Sequence, residues 1–129
     1  MDSFCEVLLI DDDPVQLMVR AAVLRNAGFQ IAIANTAESA LSMLLVLGQR
    51  VGLIITDHVM PVCSGAEFVR QLRKENDVVS IIVLSGQPEA SCEYKGLRVV
   101  FKTKPTPPAE LIELVRNGLA NSNLKRGAA

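Results

Sequence analysis

Four short apolar runs in this chain each end on, or lead to, a polar residue with chemistry of its own. That repeated juncture constrains the fold more than any other feature. Val7-Leu8-Leu9-Ile10 runs into Asp11, Asp12 and Asp13. Leu53-Ile54-Ile55-Thr56 ends on Asp57, Val79 to Leu84 ends on Ser85, and Val99 to Phe101 leads to Lys104-Pro105. Short runs that are apolar throughout, rather than alternating, suit strands buried on both faces. Phe4 to Ile10, Val51 to Thr56, Val78 to Leu84 and Arg98 to Lys102 are read as strands on this ground. Phe29 to Ala34 alternates and makes a fifth.

Helical spacing fills the gaps. Pro14 fits the first turn of a helix, where its missing N–H costs nothing. Val15, Met18 and Ala22, with Leu17, Ala21 and Leu24, form a broad apolar face at that spacing, and Gly28 ends it as a C′ residue. Asn35 with Glu38 resembles a capping box opening a helix through Leu47, stopped by Gly48. Pro61 to Gly65 reads as a turn, and Ala66 to Lys74 as a helix with Phe68, Val69 and Leu72 facing the core. Residues 86–98 are polar and contain Pro88 and Gly96, so only one short helix is expected there. Thr106 is read as the cap of a last helix, with Pro107 and Pro108 in its first turn and Leu111, Leu114, Val115 and Leu119 on its core face.

Strand and helix thus alternate five times. That order predicts an α/β fold with one parallel five-stranded sheet, right-handed crossovers and helices on both faces. Ligands of such folds bind beyond the carboxyl ends of the strands. The acids, Ser85 and Lys104 all lie at those ends.

At 129 residues one domain is expected. A net charge of −1 gives no reason to expect nucleic acid or an anionic membrane as a direct partner. Cys5, Cys63 and Cys92 are far apart and form no C-x-x-C pair, which disfavours a zinc or thioredoxin-type role. The longest apolar run, Leu41 to Leu47 with Ser42 excluded, falls far short of a membrane span, and Asp2 and Glu6 stand where a signal peptide carries basic residues. A cytoplasmic protein is expected, with residues 122–129 as a frayed tail.

Crowded carboxylates repel one another unless a cation is present. Asp11, Asp12 and Asp57 together suit Mg²⁺, which takes oxygen ligands and keeps several waters. Lys104 and Ser85 would add a fixed charge and a hydrogen bond against phosphoryl oxygens, leaving Asp57 as a nucleophile able to form an acyl phosphate. Taken singly, each feature has a plainer explanation: an acidic triplet at a helix start, a turn, a cap, a loop. Four of them in order, each at a strand end, favour one site.

These residues resemble the receiver domain of bacterial two-component response regulators. The resemblance rests on Asp11-Asp12, Asp57-x-x-Met60-Pro61-x-x-x-Gly65, Ser85-Gly86 and Lys104-Pro105, and spans residues 1–121. It implies a (βα)5 flavodoxin-like sheet in the order 2-1-3-4-5. It implies that Asp57 accepts a phosphoryl group from a histidine kinase or phosphotransfer protein, and that the chain is a signalling phosphoacceptor, not an enzyme. By the same resemblance Asp12 binds Mg²⁺ directly, Asp11 through water, and the backbone carbonyl of Val59 completes the ligands, while Asp13 is a poorer ligand. Lys104 and Ser85 contact the phosphoryl group, Phe101 takes the place of the switch aromatic, and Val59 and Gln87 flank the site and tune its kinetics. The Lys104–Pro105 bond is cis in the family. A downstream protein of unknown kind is implied, and a homodimer is allowed.

The chain departs from the family in three places. Phe101 has no hydroxyl, Ser85 replaces the commoner threonine, and the segment between Ser85 and Lys104 is short, so the fourth helix is expected to be short or irregular. His58, the only histidine, is expected to be a partly exposed loop residue. Two other readings compete: a pseudo-receiver that binds partners without phosphorylation, and a haloacid-dehalogenase-type phosphatase using Asp11-x-Asp13. Both a stand-alone regulator and a receiver cut from a longer protein stay open.

Overall fold

A computed structural model describes residues 6–127, with the side chains of residues 49 and 122–127 outside that description. The strands are β1 (Val7–Ile10), β2 (Ile31–Ala34), β3 (Leu53–Asp57), β4 (Ser80–Ser85) and β5 (Val100–Thr103). The helices are α1 (Pro14–Asn26), α2 (Ala37–Leu47), α3 (Gly65–Arg73) and α4 (Pro108–Gly127), with 3₁₀ segments at Gly48–Arg50 and Pro88–Tyr94. All strand pairs are parallel, in the order β2-β1-β3-β4-β5.

The apolar strands split their side chains between two cores. Val7, Leu9, Leu53, Ile55, Ile82 and Leu84 face Leu17, Ala21 and Leu24 of α1 and Leu111 and Val115 of α4. Leu8, Ile10, Ile54, Ile81 and Val83 face the other way, onto Ala37 and Ala40 of α2 and Phe68, Val69 and Leu72 of α3. The doubly wound architecture follows from this alternation, and the parallel register brings the strand ends to one edge of the sheet. Asp57 pairs with Leu84, and Ser85 with Thr103.

Several local expectations change. Only Leu17, Ala21 and Leu24 of the broad α1 face are buried; Val15 and Met18 are 68% and 69% exposed, and Ala22 is exposed too. A helix lying on a sheet covers one stripe, and these three residues fall outside it. The cap of α2 is Thr36, whose hydroxyl accepts from the Ser39 N–H at 2.9 Å, not Asn35. Thr106 does not cap α4: the first helical bond runs from Leu111 N–H to the Pro107 carbonyl, and the buried Thr106 hydroxyl has no partner. Helical backbone continues to Gly127, through most of the stretch read as a frayed tail. Phe4 and Cys5, the start of the first predicted strand, lie outside the described residues. The β4–β5 connection holds a 3₁₀ segment where the other crossovers carry α-helices, in line with the short fourth helix expected.

Candidate functional site

Asp57 closes β3 and is 7% exposed. Its position follows from register: β3 is central in the sheet, with β1 and β4 on either side. Lys104, beyond β5, reaches across so that Nζ stands 2.6 Å from Asp57 Oδ1. Its backbone N–H donates to the Ser85 carbonyl at 2.7 Å, which anchors the residue at the β4 end; the Lys104–Pro105 peptide bond is cis. Burial raises the Asp57 carboxyl above its ordinary range; the Lys104 hydrogen bond and charge oppose this, the Asp11 charge adds to it, and the Arg20 charge also opposes.

The β1 end supplies the other acids. Asp11 is 2% exposed and Asp12 exposed. Oxygens of Asp11, Asp12 and Asp57 lie within 4.8 Å of one another. These are hard carboxylate donors, few in number and open on one side, which fits a hydrated Mg²⁺. Asp13 has a different job: it caps α1, accepting from Val15 N–H at 2.9 Å and Gln16 N–H at 3.4 Å. Its carboxylate is thereby engaged away from the cluster.

The remaining predicted residues surround this core unequally. Ser85 is buried beside Asp57 in the sheet, and its hydroxyl accepts from the Gln87 N–H at 2.9 Å and lies 3.3 Å from the Gln87 carbonyl. That hydroxyl is therefore turned into its own loop. Gln87 is exposed, and Val59 is 58% exposed on the opposite loop. Phe101 is half-buried and packs on Tyr94, with ring centroids 5.6 Å apart.

His58 is not a partly exposed loop residue. It is 6% exposed, bonded at Nδ1 to the Tyr94 hydroxyl at 2.6 Å, with Nε2 3.5 Å from Glu93 Oε2. Burial is possible because both ring nitrogens find partners on the 3₁₀ segment. Tyr94 went unnoticed in the sequence, where it sits in a polar stretch; its sole signal is that it is the one tyrosine of the chain. Gly65 completes the contact. A Cβ there would lie 2.6 Å from the Tyr94 hydroxyl and 2.7 Å from the Asp57 carbonyl oxygen. The α3 start beside it is fixed by a capping box between Ser64 and Glu67 that the sequence reading also passed over.

Arg20 is the other missed residue. Its Nη1 lies 2.6 Å from Asp11 Oδ2. The signal was present: Arg20 falls at helical spacing within the Leu17, Ala21, Leu24 stripe, where a cation needs a buried counter-charge.

Comparison with known proteins finds relatives over nearly the whole chain. Residues 7–116 match the family model described as "Response regulator receiver domain". The transcriptional regulatory protein AruR of Pseudomonas aeruginosa is 32% identical over 117 residues, which are 86% of this chain and 48% of AruR. The chain spans about half or less of the length of such curated relatives. A response regulator receiver protein from Pseudomonas putida superposes with a TM-score of 0.79 at 32% identity, covering 91% of this chain and 99% of that one. A receiver domain protein from Clostridium thermocellum gives a TM-score of 0.86 at 22% identity over 94% of this chain and 98% of its own, a likeness of fold.

Proposed function

The chain belongs to the response regulator receiver domain family, and on that premise we propose that it is a phosphoacceptor, taking a phosphoryl group onto Asp57 from a histidine kinase or phosphotransfer protein. The observation that carries this reading is the Lys104 ammonium 2.6 Å from Asp57 at the mouth of a three-carboxylate cluster.

In this reading an Asp57 oxygen attacks phosphorus as the bond to the donor's histidine nitrogen breaks. Lys104 offers its charge to the phosphoryl oxygens, where negative charge gathers during transfer. Mg²⁺, held by Asp12, Asp57 and, through water, Asp11, with the Val59 carbonyl, would neutralise the same oxygens. The ion pair with Lys104 favours the ionised nucleophile against the cost of burying Asp57.

The new group carries about two negative charges in place of the carboxylate's one, and three acceptor oxygens. Ser85 would leave its Gln87 contacts to bind it, shifting the population toward the arrangement in which it can. Capture of Asp13 by the α1 N-terminus weighs against a phosphatase built on Asp11-x-Asp13.

The test is transfer from a donor. A labelled phosphohistidine phosphotransfer domain is mixed with the chain and Mg²⁺. Label should move to the parent and not to Asp57→Asn. Equal labelling of both proteins would remove Asp57 from the role.

A further inference from the structure

We propose that Arg20 is a resident counter-cation of the acidic site, competing with a divalent ion for Asp11 and so setting the metal affinity of the unphosphorylated chain. The inference rests on the receiver reading above and concerns one residue of that site.

Arg20 is placed by its helix and clamped by two partners. Nη1 contacts Asp11 Oδ2 at 2.6 Å, and Nη2 donates to Gln16 Oε1, one turn earlier on α1, also at 2.6 Å. The side chains of Arg20 and Asp11 are 14% and 2% exposed, so water screens their attraction weakly. The other Asp11 oxygen, Oδ1, accepts the Asp13 backbone N–H at 3.0 Å. Both oxygens of Asp11 are thus engaged by the protein itself.

The charge balance follows. Lys104 pairs with Asp57 and Arg20 with Asp11, while exposed Asp12 has no cation partner among the described residues. A divalent ion therefore meets either an Asp11 already neutralised or a guanidinium it must displace. Both weaken its binding relative to three free carboxylates. The ion feels Arg20 through its field at Asp11, so both the charge and the clamp that holds it there count.

The test is calorimetric titration of the unphosphorylated full chain with Mg²⁺, alongside thermal melts of every variant. Arg20→Met keeps an apolar stem and removes the charge, and it should bind Mg²⁺ about three- to tenfold tighter than the parent. Arg20→Lys keeps the charge and should stay near the parent. Gln16→Ala loosens the clamp and should fall between; it carries the test if Arg20→Met fails to fold. Equal or weaker binding by Arg20→Met, or by Gln16→Ala in its stead, overturns the proposal while leaving the receiver reading intact. Arg20→Lys binding as tightly as Arg20→Met overturns it as well. No Mg²⁺ binding by any of these proteins would remove the inference together with the metal part of the receiver reading.

Discussion

The Tyr94 hydroxyl lies 2.6 Å from His58 Nδ1, joining the residue after Asp57 to the last residue of the 3₁₀ segment beyond β4. Burial pushes the Tyr94 phenol well up, with the charges of Glu93 and Asp57 adding to it. The phenol therefore stays protonated through the ordinary pH range, and the Nε2 side of His58 faces Glu93. Tyr94 also rests on Phe101. The chain thus has a buried hydroxyl beside its hydroxyl-free Phe101, supplied from a different element.

Removing that hydroxyl alone should cost about 1 kcal/mol, because a buried His58 nitrogen is left unpaired. Tyr94→Phe should therefore melt a few degrees lower with an unchanged fold, whereas Tyr94→Ala should lose about 3 kcal/mol or more through the cavity it leaves. Chemical denaturation curves of the three proteins check both values. An unchanged midpoint for Tyr94→Phe would mean that the contact adds nothing.

Gly65 should not tolerate a side chain. The Cβ of alanine would meet the Asp57 carbonyl oxygen at 2.7 Å and His58 Cα at 3.0 Å, backbone atoms that cannot swing away. Gly65→Ala should cost roughly 1–3 kcal/mol by overpacking, read from the same denaturation curves. Parent-like stability would show that α3 shifts freely.

The charge on Asp57 should work against folding. Burial raises its folded pKa above the unfolded value. Its contribution is then fully favourable below the unfolded pKa and is lost as pH rises through the raised folded one. Asp57→Asn should melt a few degrees higher than the parent at neutral pH without divalent metal, and the gap should shrink in acid. A variant that melts lower at neutral pH would show that the Lys104 ion pair outweighs the burial.

Phosphate lifetime should depend on Val59. This exposed apolar side chain on the loop after Asp57 has no group to orient an attacking water. Val59→Asn should lose its phosphoryl group several-fold faster, followed by mass spectrometry over time. Loss no faster than the parent would contradict the role.

The sheet was legible because its strands are short and mostly apolar, and because four of them end on or lead to polar residues whose chemistry a shared edge explains together. Asp57, Asp11, Asp12 and Lys104 converge as that pattern implies. What escaped was set by tertiary partners. His58 reads as a loop residue until Tyr94 is placed against it, and nothing local to residues 88–94 says that a tyrosine there turns inward. Arg20 looks like a surface charge on α1 unless its place in the Leu17, Ala21, Leu24 stripe is weighed. The Thr36 cap shows the same limit, since Asn35 and Thr36 compete for one cap and backbone geometry decides, whereas the Ser64-x-x-Glu67 box stood legible in the sequence.

The central claim is that Asp57 accepts the phosphoryl group with help from Mg²⁺ and Lys104. Intact mass after treatment with a small acyl phosphate tests it most directly. The parent with Mg²⁺ should gain one phosphoryl group, Lys104→Ala should gain it more slowly, and Asp57→Asn should gain none. A parent that stays unmodified, or an Asp57→Asn variant modified as fully as the parent, would contradict the account.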